Sequence, residues 1–262
     1  MFVILMSKLL DKFKEVLKFV DDAFFPEQIK CIACNAELSF DTRYGVCQNC
    51  DIVRNIDFCK VCGSATNDLS PLCEICKVVD FEFDRAVSPL VYREQVVNII
   101  RRFKFGSAKY MGKFLAQFVI DCFYEHDFEV DFVTFVPIHK LKLRERGFNQ
   151  AKVVAEHFVQ AVKLPLVDTL DKRIQNDDTA KLNRKQRYES VKGAMCVKEN
   201  LCEYLKSKTV LLIDDVFTTG ATANECSRLL KCAGVSEVFV LTVATGVGFT
   251  RSNFNNSFEI SL

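Results

Sequence analysis

The 262-residue sequence predicts an α/β protein: a parallel sheet flanked by helices, preceded by a small cysteine-dense domain and an N-terminal helix. Three observations carry this reading. Eight of the 13 cysteines fall between Cys31 and Cys76, in short, turn-rich sequence. From about Val87 the composition changes to long segments with apolar periodicity. Within them β-branched apolar runs alternate with amphipathic stretches, the pattern of strand–helix–strand units and hence of a parallel sheet. The spans expected are a helix over 1–30, a cysteine-rich domain over 31–80 and the α/β domain over 85–262. The change of character falls near 77–86, in the acidic stretch Asp80-Phe81-Glu82-Phe83-Asp84.

The elements follow in order. Residues 7–25 read as an amphipathic helix, with Leu9, Leu10, Phe13, Val16, Leu17 and Val20 on one face, ended by Pro26. Packing on its own protein is the simpler use of that face; the lysines on its polar side leave a membrane-surface or partner-binding use open. Residues 94–104 and 108–124 read as helices. Phe132–Val136 is a buried strand stopped by Pro137, and 148–162 is a helix with the stripe Phe148, Ala151, Val154, Ala155, Phe158 and Val162. Residues 171–192 are polar with little periodicity and read as a long loop. Thr209–Ile213 is a β-branched strand, Thr222–Ala233 a helix stopped by Gly234, and Val238–Ala244 a further strand.

Composition excludes several classes. Hydrophobic residues make up 49% and charged residues 26%, which rules out disordered and fibrous chains. No stretch approaches 18 uninterrupted apolar residues, so no transmembrane span is expected, and Met1–Met6 is too short for a signal-peptide core. The net charge is +1, so a case for nucleic-acid binding has to rest on local basic stretches. With no export signal and an odd number of cysteines, the expected compartment is a reducing cytoplasm. Cys122, Cys196, Cys202, Cys226 and Cys232 are then most simply buried thiols.

Four CxxC pairs follow one another: Cys31/Cys34, Cys47/Cys50, Cys59/Cys62 and Cys73/Cys76. A two-residue gap turns both thiolates of a knuckle toward one metal, and two knuckles close a tetrahedral four-cysteine site. The count gives two structural Zn²⁺ ions, since four thiolates leave no open position for catalysis. Sequential pairing needs the shortest loops; the sequence alone does not exclude interleaved pairing.

The sharpest motif is Val210-Leu211-Leu212-Ile213-Asp214-Asp215-Val216-Phe217-Thr218-Thr219-Gly220-Ala221-Thr222. A buried strand ends in two carboxylates, and a small-residue loop then opens a helix. Backbone N–H groups, hydroxyls and a helix N-terminus suit a phosphate monoester, and Gly220 allows close approach of the backbone. Paired carboxylates would repel that phosphate unless they serve sugar hydroxyls or Mg²⁺ instead. The combination describes a pocket for ribose 5-phosphate.

This motif resembles the site for 5-phosphoribosyl 1-diphosphate (PRPP) in type I phosphoribosyltransferases. The resemblance implies that Asp214 and Asp215 hold the ribose hydroxyls, that Thr218, Thr219, Gly220, Ala221 and Thr222 hold the 5-phosphate, and that the sheet is of that fold. The order Phe24-Phe25-Pro26, the double CxxC ribbon, Lys104-Phe105-Gly106, Arg144-Glu145-Arg146-Gly147-Phe148-Asn149-Gln150 and then the PRPP motif is similar to the ComF family of competence proteins, ComFC type. That family is needed for natural transformation, at the step that brings single-stranded DNA into the cytoplasm. Arg173, Arg187 and Gly193 match its pattern, whereas Thr179, Ser190 and Met195 stand where a Gln, an Asn and a Phe are expected.

The resemblance implies further roles. Ile138, His139 and Lys140 fall where such enzymes place the pyrophosphate loop, with Arg144, Arg146 and the signature Lys104 nearby. Arg173 and Arg187 lie in the segment of the mobile loop. Arg101, Arg102 and Lys109 belong to a basic helical stretch able to track a DNA backbone. Expected partners are PRPP with Mg²⁺ or a related phosphoribosyl ligand, single-stranded DNA, and the DNA-translocation machinery or the inner face of the cytoplasmic membrane. Two functions remain open: DNA handling built on a PRPP pocket, or PRPP-dependent transfer to an amine or nucleobase with no DNA role. Purine-salvage enzymes carry a carboxylate immediately before the Thr-Gly of the motif; Thr218 stands there and cannot do that work at neutral pH. His126 reads as a surface residue and His157 as structural.

Overall fold

The structure, a computed structural model, describes residues 30–38, 42–66, 70–105, 108–175 and 182–246. The expected helix at 7–25, Phe24-Phe25-Pro26, Gly106 and Thr179 lie outside the described residues. The chain divides into two compact units, Met1–Cys50 and Asp51–Leu262.

In the first unit the described residues fold around Cys31, Cys34, Cys47 and Cys50. Asn35 takes a left-handed conformation with φ 69°, and its N–H closes a turn onto the Cys31 carbonyl at 2.9 Å. Gly45, also left-handed, accepts the Ile32 N–H at 2.8 Å and joins the two knuckles.

The second unit contains the sheet. In chain order its elements are β1 (Arg85–Val87), β2 (Leu90–Val91), α1 (Glu94–Phe105), α2 (Met111–Glu125), β3 (Phe132–Phe135), α3 (Lys140–Arg146), α4 (Gln150–Val162), β4 (Leu170–Lys172), α5 (Arg184–Val191), β5 (Met195–Val197), α6 (Cys202–Leu205), β6 (Thr209–Phe217), α7 (Ala221–Cys232) and β7 (Glu237–Thr245). The order in the sheet is β1-β7-β6-β3, with β2 also on β7, and every pairing is parallel. β4 and β5 form a separate antiparallel pair. The parallel sheet flanked by helices is as the sequence predicts.

β6 is central and buried on both faces, which is why Val210–Ile213 is apolar without alternation. Val210 and Leu212 of β6, with Val238 and Val240 of β7, pack into a core shared with Cys226 and Leu230 of α7 and with Cys59, Cys62 and Cys73. The alternate residues meet α2 and α4, whose buried faces carry Phe114, Leu115, Phe118, Val154 and Phe158. Asn149 caps α4 by accepting the Lys152 N–H, and Lys163, φ 61°, ends it.

Two expectations are corrected. Residues 171–192 are not one loop: β4 extends through Lys172 and α5 covers Arg184–Val191. Helix α5 buries only Val191, so no apolar stripe marks it; a reciprocal capping box between Asn183 and Gln186 holds its start. Nor are the five scattered cysteines all buried. Cys122 and Cys226 are, but Cys196 and Cys202 are half-buried and Cys232 is exposed.

Candidate functional site

The strand order creates the site. Phe135 of β3 pairs with Ile213 of β6, and the Val136 N–H bonds the Ile213 carbonyl at 2.9 Å. The segment Pro137–Lys140 therefore leaves the sheet beside Asp214 and Asp215, where the hydrogen-bonded run of β6 delivers its carboxylates. Beyond them Thr218 and Thr219 lead to Gly220, left-handed at φ 78°, and α7 begins at Ala221. Gly220 supplies no side-chain cap; Thr219 Oγ1 accepts the Ala221 N–H at 3.4 Å, and the helix start borders a small pocket of about 50 Å³ lined by residues 216–223 with Asp214, Arg187 and Val191. Arg187 reaches over the loop from α5: its Nη1 donates to Thr218 Oγ1 at 3.0 Å and its Nε to the Leu182 carbonyl at 3.0 Å. The Tyr188 hydroxyl donates to the Thr219 carbonyl at 3.2 Å.

The acid pair is electrostatically tense. The Asp215 N–H donates to Asp214 Oδ1 at 2.8 Å, and Lys104 Nζ meets Asp215 Oδ2 at 2.8 Å. Burial, together with the charge of Asp215, pushes the Asp214 carboxyl up to about 7 against the pull of Lys104 and Lys172. For Lys104 burial works against the charge, but the Asp215 carboxylate outweighs it and holds the ammonium above its ordinary range. Lys172 is driven the other way, by burial and then by Lys142. Such a pair can accept hydroxyl hydrogens from a sugar or share a divalent cation.

A larger cavity of about 670 Å³ adjoins the Pro137–Lys140 segment. Ile138, Lys140, Lys109, Lys152, Lys172 and Arg173 line it, with Phe135 and Phe148 on its walls. Asp168 and Asp171 also line it but are engaged by Lys198 at 2.8 and 3.7 Å. Lys109 and Arg173, from separate basic stretches, thus share one cavity with Lys140. Arg101 is exposed on α1, and neither it nor Arg102 is part of this lining. Arg144 is exposed at the end of α3. Arg146 donates to Gln150 Oε1 at 3.3 Å and lies over the Phe105 ring at 5.1 Å. His139 is buried and caps α3, its Nδ1 accepting the Leu141 N–H at 3.3 Å, so its role is at least partly structural. His126 is half-buried rather than a plain surface residue: its Nδ1 lies 3.0 Å from Arg85 Nη2. Sequence reasoning places Lys152 in a basic run suited to an anionic ligand without singling it out, and it missed Lys172 and Tyr188. Lys152 and Lys172 sit in the basic runs 137–152 and 172–192, which give no ground for choosing among neighbours, and Tyr188 lies on α5, a helix with no apolar stripe.

The cysteines form two quartets in sequential order, Cys31, Cys34, Cys47, Cys50 and Cys59, Cys62, Cys73, Cys76, each with its sulfurs within 4.8 Å of one another. The Cys31–Cys50, Cys34–Cys47 and Cys62–Cys73 separations are 3.8, 3.6 and 3.7 Å. A tetrahedron of Zn–S bonds gives edges of about 3.8 Å, so the quartets fit zinc. The Ala33 and Cys47 N–H groups point at Cys31 Sγ at 3.4 and 3.3 Å. Burial opposes ionisation of that thiol, but the N–H donors prevail and draw it down to about 6. In the second quartet, hydrogen bonding from Cys62 pulls the Cys59 thiol down while Cys62 and Cys76 are pushed up. Four thiolates at these distances call for a cation between them.

Residues 130–249 match the phosphoribosyl transferase domain family. Competence protein F of Haemophilus influenzae is 29% identical over 224 residues, covering 82% of this chain and 96% of that one. Competence protein ComFC of Streptococcus pneumoniae is 28% identical over 236 residues, covering 86% of this chain and 92% of that one. Among solved structures, the glutamine PRPP amidotransferase of B. subtilis in complex with ADP and GMP shares 22% identity at a TM-score of 0.33, over 57% of this chain and 28% of that one. The relatives' likeness extends well beyond the domain match, over most of the chain: this protein is similar to competence proteins of the ComF type and carries a stretch that matches the phosphoribosyl transferase domain family.

Proposed function

We propose that this chain binds PRPP at the end of β6 and handles single-stranded DNA at the cytoplasmic side during natural competence. The observation that carries the PRPP reading is the corner formed by Asp214, Asp215 and residues 218–222, with Lys104 on Asp215 and Arg187 on Thr218. The N–H groups at the start of α7 take the 5-phosphate, and Arg187 adds a charge-assisted contact. Asp214 and Asp215 accept from the ribose hydroxyls, and Ile138–Lys140 lie toward the diphosphate. Mg²⁺ carried on the diphosphate would neutralise its charge. Rate enhancement in such a site rests on positioning and on charge stabilisation.

The DNA reading is supported by the competence names of the relatives and by the cavity that gathers Lys109, Lys140, Lys152, Lys172 and Arg173. Binding would be sequence-independent and steeply weakened by salt, because it rests on phosphate neutralisation with aromatic support. The enzyme reading keeps the same pocket and adds an acceptor amine or base. A gel shift with labelled single-stranded DNA and a pyrophosphate-release assay, run on one zinc-loaded sample, separate the two. A salt-sensitive shift supports the proposal. Pyrophosphate release with a defined acceptor and no shift overturns it.

A further inference from the structure

The second cysteine quartet and the phosphate loop belong to one packed assembly. We infer that metal occupancy at Cys59, Cys62, Cys73 and Cys76 sets the affinity of the loop for its ligand, with Phe81 and Tyr188 as the positioning residues. The inference rests on reading residues 218–222 as the site of the PRPP phosphate.

One connection is aromatic. The chain leaving the quartet wraps its knuckle, with the Lys77 N–H on the Cys73 carbonyl at 3.3 Å and the Val79 N–H on the Ile75 carbonyl at 2.9 Å. Two residues later Phe81 stacks on Phe83, centroids 4.7 Å apart, and both rings meet Phe217 edge-on at 6.5 and 5.8 Å. These rings abut the loop at its left-handed residue. A Cβ on Gly220 would lie 2.7 Å from Phe217 Cζ and 2.9 Å from Phe81 Cε1. The Glu82 N–H donates to Asn224 Oδ1 at 2.7 Å and pins the same segment to the first turn of α7.

The other connection is Tyr188. It packs on the core cluster that contains Cys59, Cys62 and Cys73, as Cys76 and Phe81 do, and its hydroxyl holds the Thr219 carbonyl. Thr219 and Gly220 are therefore held from two sides by groups packed on the core that includes three of the quartet's cysteines. Without the metal, thiolates at these separations repel or take up protons. Residues 77–81 then lose their tie to the knuckle, and the loop loses the fixed geometry, set in part by Phe81, that makes it a phosphate site. Coupling between two sites is reciprocal, so the ligand must in turn tighten the metal. The first quartet lies in the other compact unit and serves as the control.

The test uses full-length, zinc-loaded protein. PRPP affinity is measured by calorimetry for wild type, Tyr188→Phe, Phe81→Leu, Phe81→Tyr and Cys34→Ser, with zinc content checked in each. Zinc affinity of the Cys34→Ser protein, which retains the second quartet, is measured by equilibrium competition with a chromogenic chelator, with and without saturating PRPP. Tyr188→Phe should weaken PRPP about fivefold to tenfold, the size of one neutral hydrogen bond, and Phe81→Leu by a similar factor through its lost ring contacts, both with zinc content unchanged. Phe81→Tyr and Cys34→Ser should bind as wild type, and PRPP should raise the zinc affinity of the second quartet several-fold. Unchanged PRPP affinity in Tyr188→Phe and Phe81→Leu, with zinc affinity indifferent to PRPP, overturns the inference alone. Failure of wild type to bind PRPP overturns the phosphate-loop reading and the inference with it.

Discussion

Replacing Asp214 by Asn should stabilise the ligand-free protein at neutral pH while damaging its site. The carboxyl of Asp214 is raised from an ordinary 3.8 to about 7 by burial and by Asp215. A group raised in the folded state contributes fully below its unfolded value and loses that contribution as pH climbs to its folded value. Stability of the wild type should therefore fall between about pH 4 and pH 7 through this residue. A displacement of roughly three pH units corresponds to at most about 4 kcal/mol, at about 1.36 kcal/mol for each. Asp214 keeps some solvent contact and Lys104 offsets part of the repulsion, so about 1–2 kcal/mol is the expected gain for Asp214→Asn at pH 8. That is a rise in thermal midpoint of roughly 2–8 °C. Thermal unfolding of both proteins at pH 5, 6, 7 and 8, zinc-loaded and without ligand, reads the difference. It should grow with pH and level off above pH 7. A difference that is absent, or the same at pH 5 and pH 8, would refute the argument.

Other consequences follow from the packing. Cys73→Ser should lower the thermal midpoint of the sheet-containing unit by several degrees, because Cys73 lies in the core shared with Phe83 and Leu230. Cys34→Ser, in the other unit, should leave that transition in place; calorimetric scanning distinguishes them. Gly220→Ala should cost about 1–2 kcal/mol for its left-handed backbone alone, with more from the clash with Phe217 and Phe81, and should weaken phosphate binding. Changing Lys109, Lys140 and Lys152 together to Ala should lower single-stranded DNA affinity and flatten its salt slope by roughly 2, at about 0.7 for each DNA phosphate that is no longer neutralised.

The sequence carried the site's centre more clearly than its surroundings. The run Val210–Thr222 was legible because strand, carboxylates, small loop and helix start are contiguous, and the structure adds the register that sets Pro137–Lys140 beside them. The quartets were legible from spacing, and the structure selects sequential pairing. Helix α5 was not legible: it owes its place to a capping box and to Arg187 and Tyr188 reaching the loop, none of which leaves a periodic trace. Strands β1 and β2 were missed for a related reason, being three and two residues long. The Lys104–Asp215 pair joins α1 to β6 and becomes visible only when the sheet is assembled.

Calorimetric titration of PRPP with Mg²⁺ into zinc-loaded wild type and Asp215→Ala tests the central claim most directly. Wild type should bind at one site per chain. Asp215→Ala should bind at least about tenfold more weakly, because ribose hydroxyls left without an acceptor in a partly closed pocket each cost about 1–3 kcal/mol. Thr219→Ala should fall between them, since the loop N–H groups remain. Equal affinities in wild type and Asp215→Ala, or no binding to the wild type, would contradict the account.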